Sequence, residues 1–336
     1  MPVDTRFAYA YAIGRIRVIE KKLLDKGKLD RMIDSKSPDE ALKVIVESGY
    51  VESSTLAGNA GEYENLLREE EKRLYGLLRE VTSDDELFNI FLLKNDYHNI
   101  KVLLKSEFLA IEANDNLLVS GTMPPMHIKT AINERELDRL PLYMKEAIDE
   151  CLDTFSRTND PRQIDLILDK AYFRHIVEIS EKSGHEYVKE LVKIIIDLTN
   201  IKTFIRIKNL NMSADLLSRS LIPGGTIADS FFTENMDTNM EVFVEKIKNS
   251  PYFNICSQGI SNYVNTGNLS RLEKLADDYI INFVKKSRYK TLGIEPLIGY
   301  LVAKENEIKN VRIIMVGKIN NISGDIIRER LRDTYV

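Results

Sequence analysis

Glycine and proline are scarce in this chain, with 16 and 9 copies among 336 residues. Together they are 25 of 336, about 7%, against a usual share of roughly 12%. A β-sandwich or β-barrel needs a turn about every 8–12 residues, and glycine and proline supply most of those turns. The scarcity therefore argues against all-β architectures.

Cysteine and long apolar runs are also rare. The two cysteines, Cys151 and Cys256, lie far apart and form neither a disulfide framework nor zinc-ligand spacing, which predicts a reducing compartment. The stretch 1–17 lacks the charged segment followed by an apolar one that marks a secretory signal. No stretch reaches the roughly 18 uninterrupted apolar residues of a membrane span, so we expect the chain to have none of its own.

Motifs of catalysis and cofactor binding are missing. The sequence contains no GxxxxGK[ST], GxGxxG, GxSxG, CxxC or HExxH pattern, although these patterns carry most phosphate, dinucleotide, nucleophile and zinc chemistry. Asp84-Asp85 and Asp277-Asp278 lack the third carboxylate of a DDxxD magnesium motif. We therefore predict no catalytic residue, no cofactor and no metal.

The charge balance excludes one class of partner. The chain has 47 basic and 52 acidic side chains and a net charge of -5, so we expect no nucleic-acid partner. A short basic run over residues 285–290 is interpreted as a solvated helix end.

Helical periodicity is what the sequence has in abundance. Ala8, Ala12, Ile16, Ile19 and Leu23 recur at steps of three and four, which places them on one helix face. A further helix is predicted over Tyr63–Val81. Cap residues and dipole-compatible acids mark three helix starts, at residues 37–40, 82–85 and 159–161. Loops are predicted at residues 121–125, 222–225 and 317–324. The pattern predicts an all-α fold.

The most informative feature is a helical segment that occurs three times, starting at Phe91, Ile194 and Leu301. Each copy has the pattern acid-x-x-Asn-aliphatic-base, and the copies are 101 and then 110 residues apart. The acids are Asp96, Asp197 and Glu307; the asparagines are Asn99, Asn200 and Asn310; the bases are Lys101, Lys202 and Arg312. The repeat predicts three similar helical-bundle domains over residues 1–112, 113–212 and 213–336.

Two interpretations of the nine repeated residues stay open. In the structural one, acid and base flank the apolar stripe of a core helix, and the asparagine bonds a neighbouring backbone. In the functional one, three equivalent helices line one shared surface, and the nine residues are interface positions.

Several stretches resemble the C subunits of the archaeal and bacterial V/A-type ATPases, the counterparts of the d subunit of the vacuolar ATPase. The resemblance covers almost the whole chain and is poorest over Asn114–Asp160. It is carried by Phe7–Leu24, Asp197–Lys202, Leu221–Gly225, Ala303–Ile314 and Gly317-Lys318.

The resemblance implies a funnel of three helix bundles around a pseudo-threefold axis, peripheral on the cytoplasmic face of a membrane. It implies a non-catalytic rotor protein that joins D- and F-type shaft subunits to the membrane proteolipid ring. Through it, ATP synthesis or hydrolysis is linked to proton or sodium transport. The alternatives are a helical-repeat scaffold or adaptor unrelated to rotary motors, and a helical enzyme whose site has no known motif.

Overall fold

A computed structural model describes residues 9–49, 60–82, 85–109 and 117–336. These residues form helices joined by turns and contain no β-strand, which confirms the all-α prediction. Ala8, Ser83, Asp84 and the predicted boundary at residue 112 lie outside the described residues. No helix in the described part of the chain is both long and apolar enough to cross a membrane.

The helices follow one another closely, with short 3₁₀ turns at Glu20–Lys22, Ala60–Glu62, Leu137–Arg139 and Lys286–Tyr289. In chain order the α-helices of the described residues are α1 (Ala10–Ile19), α2 (Lys26–Asp34), α3 (Pro38–Glu47), α4 (Tyr63–Val81), α5 (Asp85–Leu109), α6 (Pro125–Glu134), α7 (Leu142–Thr158), α8 (Arg162–Ser183), α9 (Glu186–Asn209), α10 (Ala214–Ser220), α11 (Asp229–Glu234), α12 (Met240–Lys246), α13 (Phe253–Thr266), α14 (Ser270–Lys285), α15 (Glu295–Ile319) and α16 (Gly324–Arg330).

The chain divides into two compact units. Unit 1 combines Met1–Ser83 with Met240–Val336, and unit 2 is Asp84–Asn239. Unit 1 thus unites the two ends of the sequence. The division into three repeat domains stays a prediction.

In unit 2, α5 packs on α6 and α8, while α7 and α9 also pack on α8. The stripe predicted for α5 faces this core, since Leu93, Tyr97, Ile100 and Leu104 are all at most 2% exposed. Apolar spacing of three and four residues therefore decides which side of α5 is buried.

In unit 1, α15 packs on α14 and on the first four helices of the chain. One apolar cluster joins Leu29, Met32 and Ile45 to Val311 and Met315. Because the first helices bury their apolar faces against α15, the bundle at the start of the sequence is completed by residues close to its end.

Two of the predicted helix starts are confirmed, and in each a preceding side-chain oxygen accepts a backbone N–H of the first turn. The Ser37 side chain accepts the Glu40 N–H at 3.2 Å, with Pro38 at the first position of α3. Asp160 accepts the Arg162 N–H at 3.0 Å just before α8. Helix α4 has the predicted bounds Tyr63–Val81.

The predicted loop at residues 317–324 is wrong over its first part, because α15 continues to Ile319. Gly317 is a site of close approach and not a helix breaker. A Cβ atom at Gly317 would lie 2.6 Å from the side chain of Ile327. The glycine thus lets α16 fold back onto α15.

Gly317→Ala is expected to destabilise unit 1 by about 1–3 kcal/mol, because the added methyl overpacks against Ile327. Gly76→Ala is the matched control: this exposed position in α4 has nothing within 4 Å of the added Cβ. Alanine should raise stability there by about 0.5–1 kcal/mol through helix propensity. Urea unfolding followed by circular dichroism measures both. Equal midpoints for the two variants would contradict the close-approach role.

Candidate functional site

The three repeated segments lie in the long helices α5, α9 and α15, which have 25, 24 and 25 residues. Their acids and asparagines are buried: Asp96, Asn99, Asp197 and Asn200 are 0% exposed, Asn310 is 1% and Glu307 is 5%. Such burial of polar groups requires hydrogen-bond partners inside the protein.

The partners of these side chains lie largely in three non-helical segments further along the chain. We call residues 117–124 connector 1, residues 221–228 connector 2 and residues 331–336 the strap. Connector 1 leads into α6 and connector 2 leads into α11.

Each asparagine binds one backbone residue through both of its amide atoms. In unit 2, Asn99 Nδ2 donates to the Leu118 carbonyl at 2.8 Å, and the Leu118 N–H donates to Asn99 Oδ1 at 2.8 Å. Asn200 makes the same pair with Ile222, at 2.8 and 2.9 Å. We call each such pair an Asn clamp.

The third copy makes the same contact in unit 1. Asn310 Nδ2 donates to the Arg332 carbonyl at 3.1 Å, and the Arg332 N–H donates to Asn310 Oδ1 at 2.9 Å. The asparagine side-chain amide thus binds the N–H and the C=O of one residue, as a neighbouring β-strand would do in a sheet. The asparagine part of the structural interpretation is confirmed in all three copies.

The acids of α5 and α9 also bind their connectors. Asp96 Oδ2 accepts the N–H and the hydroxyl of Thr122, at 2.8 and 2.6 Å. Asp197 accepts the Thr226 and Ile227 N–H groups at 2.8 and 3.0 Å, and also the Thr226 hydroxyl. Burial raises the pKa of Asp96, and the bonds from Thr122 oppose that rise.

A glycine precedes each of these threonines for a steric reason. A Cβ atom at Gly121 would lie 2.0 Å from Asp96 Oδ1, and one at Gly225 would lie 2.2 Å from Asp197 Oδ1. Only a residue without a side chain lets the connector backbone approach the carboxylate this closely.

The third acid departs from this arrangement. Glu307 accepts the Leu24 N–H, although the two residues are 283 positions apart. It also binds Lys304 Nζ at 2.5 Å, and Lys304 binds the buried Glu70 at 2.7 Å. Burial raises the pKa of Glu307, and Lys304 opposes that rise.

The Leu24 contact shares one feature with the contacts of Asp96 and Asp197, namely its position before a helix. Thr122 lies just before α6, Thr226 just before α11 and Leu24 just before α2. Each acid therefore binds the segment that precedes a short helix. In the third copy, that segment is supplied by the beginning of the sequence.

Two of the three bases form salt bridges with residues of other helices. Lys101 binds Asp169 at 2.5 Å and Arg312 binds Glu64 at 2.7 Å, whereas Lys202 is half-buried. Hydrogen bonding to Glu64 raises the pKa of Arg312. The base column is thus more exposed than the acid and asparagine columns.

Sequence reasoning missed the Gly-Thr pairs and a second repeated contact. Lys208 donates to the Met236 carbonyl beyond α11, and Lys318 donates to the Ile33 and Ser35 carbonyls at the end of α2. A search for further matches 110 residues apart would have found the lysines.

No group of three or more His, Cys, Asp or Glu residues suited to a metal ion occurs in the described part of the chain. Among the histidines, His175 is held by Tyr97 and Tyr143, and burial lowers its pKa to about 4. Burial raises the pKa of the Cys151 and Cys256 thiols to about 12, so neither is a reactive thiolate at neutral pH.

An all-α chain whose repeated polar residues clamp its own connectors has the features of a structural component. Residues 12–330 match the family described as ATP synthase (C/AC39) subunit. The chain belongs to this family and is a non-catalytic part of a rotary ATPase complex. The alternative of a scaffold unrelated to rotary motors is thereby wrong.

Relatives along nearly the full length agree with the family match. The C subunit of the A-type ATP synthase of Methanocaldococcus jannaschii is 27% identical, over 96% of this chain and 86% of the relative. The C subunit of the V-type sodium ATPase of Enterococcus hirae is 27% identical, over 95% and 97%. The C subunit of the A-type ATP synthase of Pyrococcus horikoshii is 22% identical, over 91% and 85%.

Asn200→Ala is expected to lower the stability of unit 2 by about 2–6 kcal/mol, because it leaves the N–H and the C=O of the buried Ile222 without partners, at about 1–3 kcal/mol each. Asn254→Ala, at an exposed position of α13, is the control and should change stability by less than about 0.5 kcal/mol. Thermal and urea unfolding measure the difference. A loss below about 0.5 kcal/mol for Asn200→Ala would contradict the clamp.

Proposed function

We propose that the chain is the rotor protein that couples the central shaft of a V/A-type ATPase to its membrane proteolipid ring. The observation that carries the proposal is the family match over residues 12–330. The relatives from Methanocaldococcus jannaschii and Enterococcus hirae are named as parts of an A-type ATP synthase and of a V-type sodium ATPase.

The proposed partners are D- and F-type shaft subunits on one side and the proteolipid ring on the other. The protein would be peripheral, on the cytoplasmic face of the membrane. The absence of a spanning helix among the described residues is compatible with attachment through other members of the complex.

The Asn clamps suit a part that transmits torque. A protein that transmits torque must resist sliding between its elements, and the backbone groups of a non-helical segment need hydrogen-bond partners outside the helices to hold the segment in place. Each clamp adds two hydrogen bonds between a buried asparagine and such a segment, worth about 0.5–1.5 kcal/mol apiece. Close packing of the surrounding helices supplies the remaining stiffness.

Of the nine repeated residues, we propose the bases Lys101, Lys202 and Arg312 as the candidates for contacts with the partner proteins. Arg312 and Lys101 keep 44% and 21% of their side-chain surface exposed. The acids and asparagines have little surface to offer, because the chain itself uses them. The division into three domains and their pseudo-threefold arrangement are part of the same proposal.

The test is reconstitution of the complete ATPase complex in vesicles with and without this chain. Without it, ATP hydrolysis by the headpiece should continue, whereas ATP-driven ion uptake should vanish. Adding back the purified chain should restore uptake. Ion uptake at full rate in vesicles that lack the chain would reject the coupling role.

A further inference from the structure

The strap is bound along its length by polar groups of neighbouring elements. Besides the Asn310 clamp on Arg332, Lys274 Nζ donates to the Leu331 carbonyl. Asn306 Nδ2 donates to the Asp333 carbonyl at 2.9 Å. Side-chain donors of α14 and α15 thus bind three consecutive backbone carbonyls of the strap, and such main-chain contacts are one mode of peptide recognition.

Two carboxylates of α14 add to the recognition. The Asp333 N–H donates to Asp278 Oδ1 at 2.6 Å, and Arg332 Nε donates to Asp277 Oδ2 at 2.8 Å. Asp277 and the Arg332 side chain are largely buried, with 22% and 11% of their side-chain surfaces exposed. Such charge-assisted bonds are the stronger kind.

Tyr335 anchors the other end of the strap and is only 3% exposed. Its hydroxyl lies 3.1 Å from Ser287 Oγ and 3.2 Å from Glu20 Oε1. Arg288 donates to the Tyr335 carbonyl at 3.1 Å. Buried tyrosines whose hydroxyl is hydrogen-bonded are common anchors of binding interfaces.

Helix α15 leaves space for this anchor. A Cβ atom at Gly299 would lie 2.0 Å from Ser287 Oγ and 3.0 Å from the Tyr335 hydroxyl. A glycine inside a long helix costs stability, so its presence here has a packing reason.

The strap also differs from connectors 1 and 2 in its connection along the chain, because the clamped residue and the acid-bound residue do not lie in one segment. In connector 2, the clamped Ile222 and the acid-bound Thr226 belong to one short segment. In unit 1, Arg332 is clamped by Asn310, but the residue that binds Glu307 is Leu24, far away in the sequence. The strap is therefore held to α1–α4 by non-covalent contacts alone.

We infer that the groove formed by α14, α15 and the 3₁₀ turn Lys286–Tyr289 is a peptide-binding site whose ligand is residues 331–336 of this chain. The site recognises a non-helical hexapeptide by its backbone, its arginine and its tyrosine. The groove keeps its structure when the strap is cut off, and it binds the same peptide supplied as a separate molecule. This goes beyond the proposed coupling role and does not depend on it.

The experiment uses the full chain with a specific protease site inserted between Arg330 and Leu331. The intact protein folds first, is then cut, and the freed strap is removed by dialysis. A fluorescent acetylated peptide, Leu-Arg-Asp-Thr-Tyr-Val, is titrated against the cut protein and followed by anisotropy. We expect an unchanged helical circular dichroism signal after cutting, and saturable peptide binding.

Peptide variants identify the contacts. Tyr335→Phe in the peptide should weaken binding about tenfold, because the Ser287 and Glu20 oxygens lose the hydroxyl. Thr334→Ala is the control and should change affinity less than about threefold, because the Thr334 hydroxyl bonds within the strap, to the Val336 carbonyl. Loss of helical signal on cutting, absence of saturable binding, or equal binding of the Phe peptide would each overturn the inference.

Discussion

The paired hydrogen bonds between an asparagine amide and one backbone residue are the contact on which the rest of the structure depends. A helical protein has no strand ladder to satisfy the backbone groups of a non-helical segment that packs against its helices. Asn99, Asn200 and Asn310 solve this problem in the same way, at equivalent places in α5, α9 and α15. In unit 2, the clamps also fix where α6 and α11 begin, because each connector leads directly into one of these helices.

The third copy shows how one design serves two different chain topologies. In unit 2, each connector offers its backbone to both the asparagine and the acid of the same helix. In unit 1, these two contacts come from Arg332 and from Leu24, and the apolar core of α2 and α3 is completed by α15. In unit 1, hydrogen bonds and packing alone hold the strap to the segment around Leu24, whereas in unit 2 the corresponding residues belong to one continuous connector. The strap is therefore the segment that can be separated from the rest of unit 1.

The sequence alone predicted the all-α fold and the bounds of α4, because these depend on local periodicity and short-range caps, and the internal repeat predicted the three long helices and the asparagine column. It could not reveal the Glu307–Leu24 contact, which joins residues 283 positions apart. The Gly-Thr pairs escaped notice because each threonine follows the acid it binds by a different number of positions, 26 from Asp96 to Thr122 and 29 from Asp197 to Thr226. The prediction of a loop at Gly317 was wrong, because a sequence does not distinguish a glycine required by close packing from a glycine required by a turn.

Amide hydrogen exchange tests the clamp most directly. The Leu118, Ile222 and Arg332 amides lie outside helices, yet their hydrogen bonds to asparagine should make them exchange slowly in the native protein. In the Asn200→Ala variant, the Ile222 amide should exchange at least about tenfold faster, while the Leu118 and Arg332 amides keep their rates. Exchange of Ile222 at the same rate in both proteins would contradict the account.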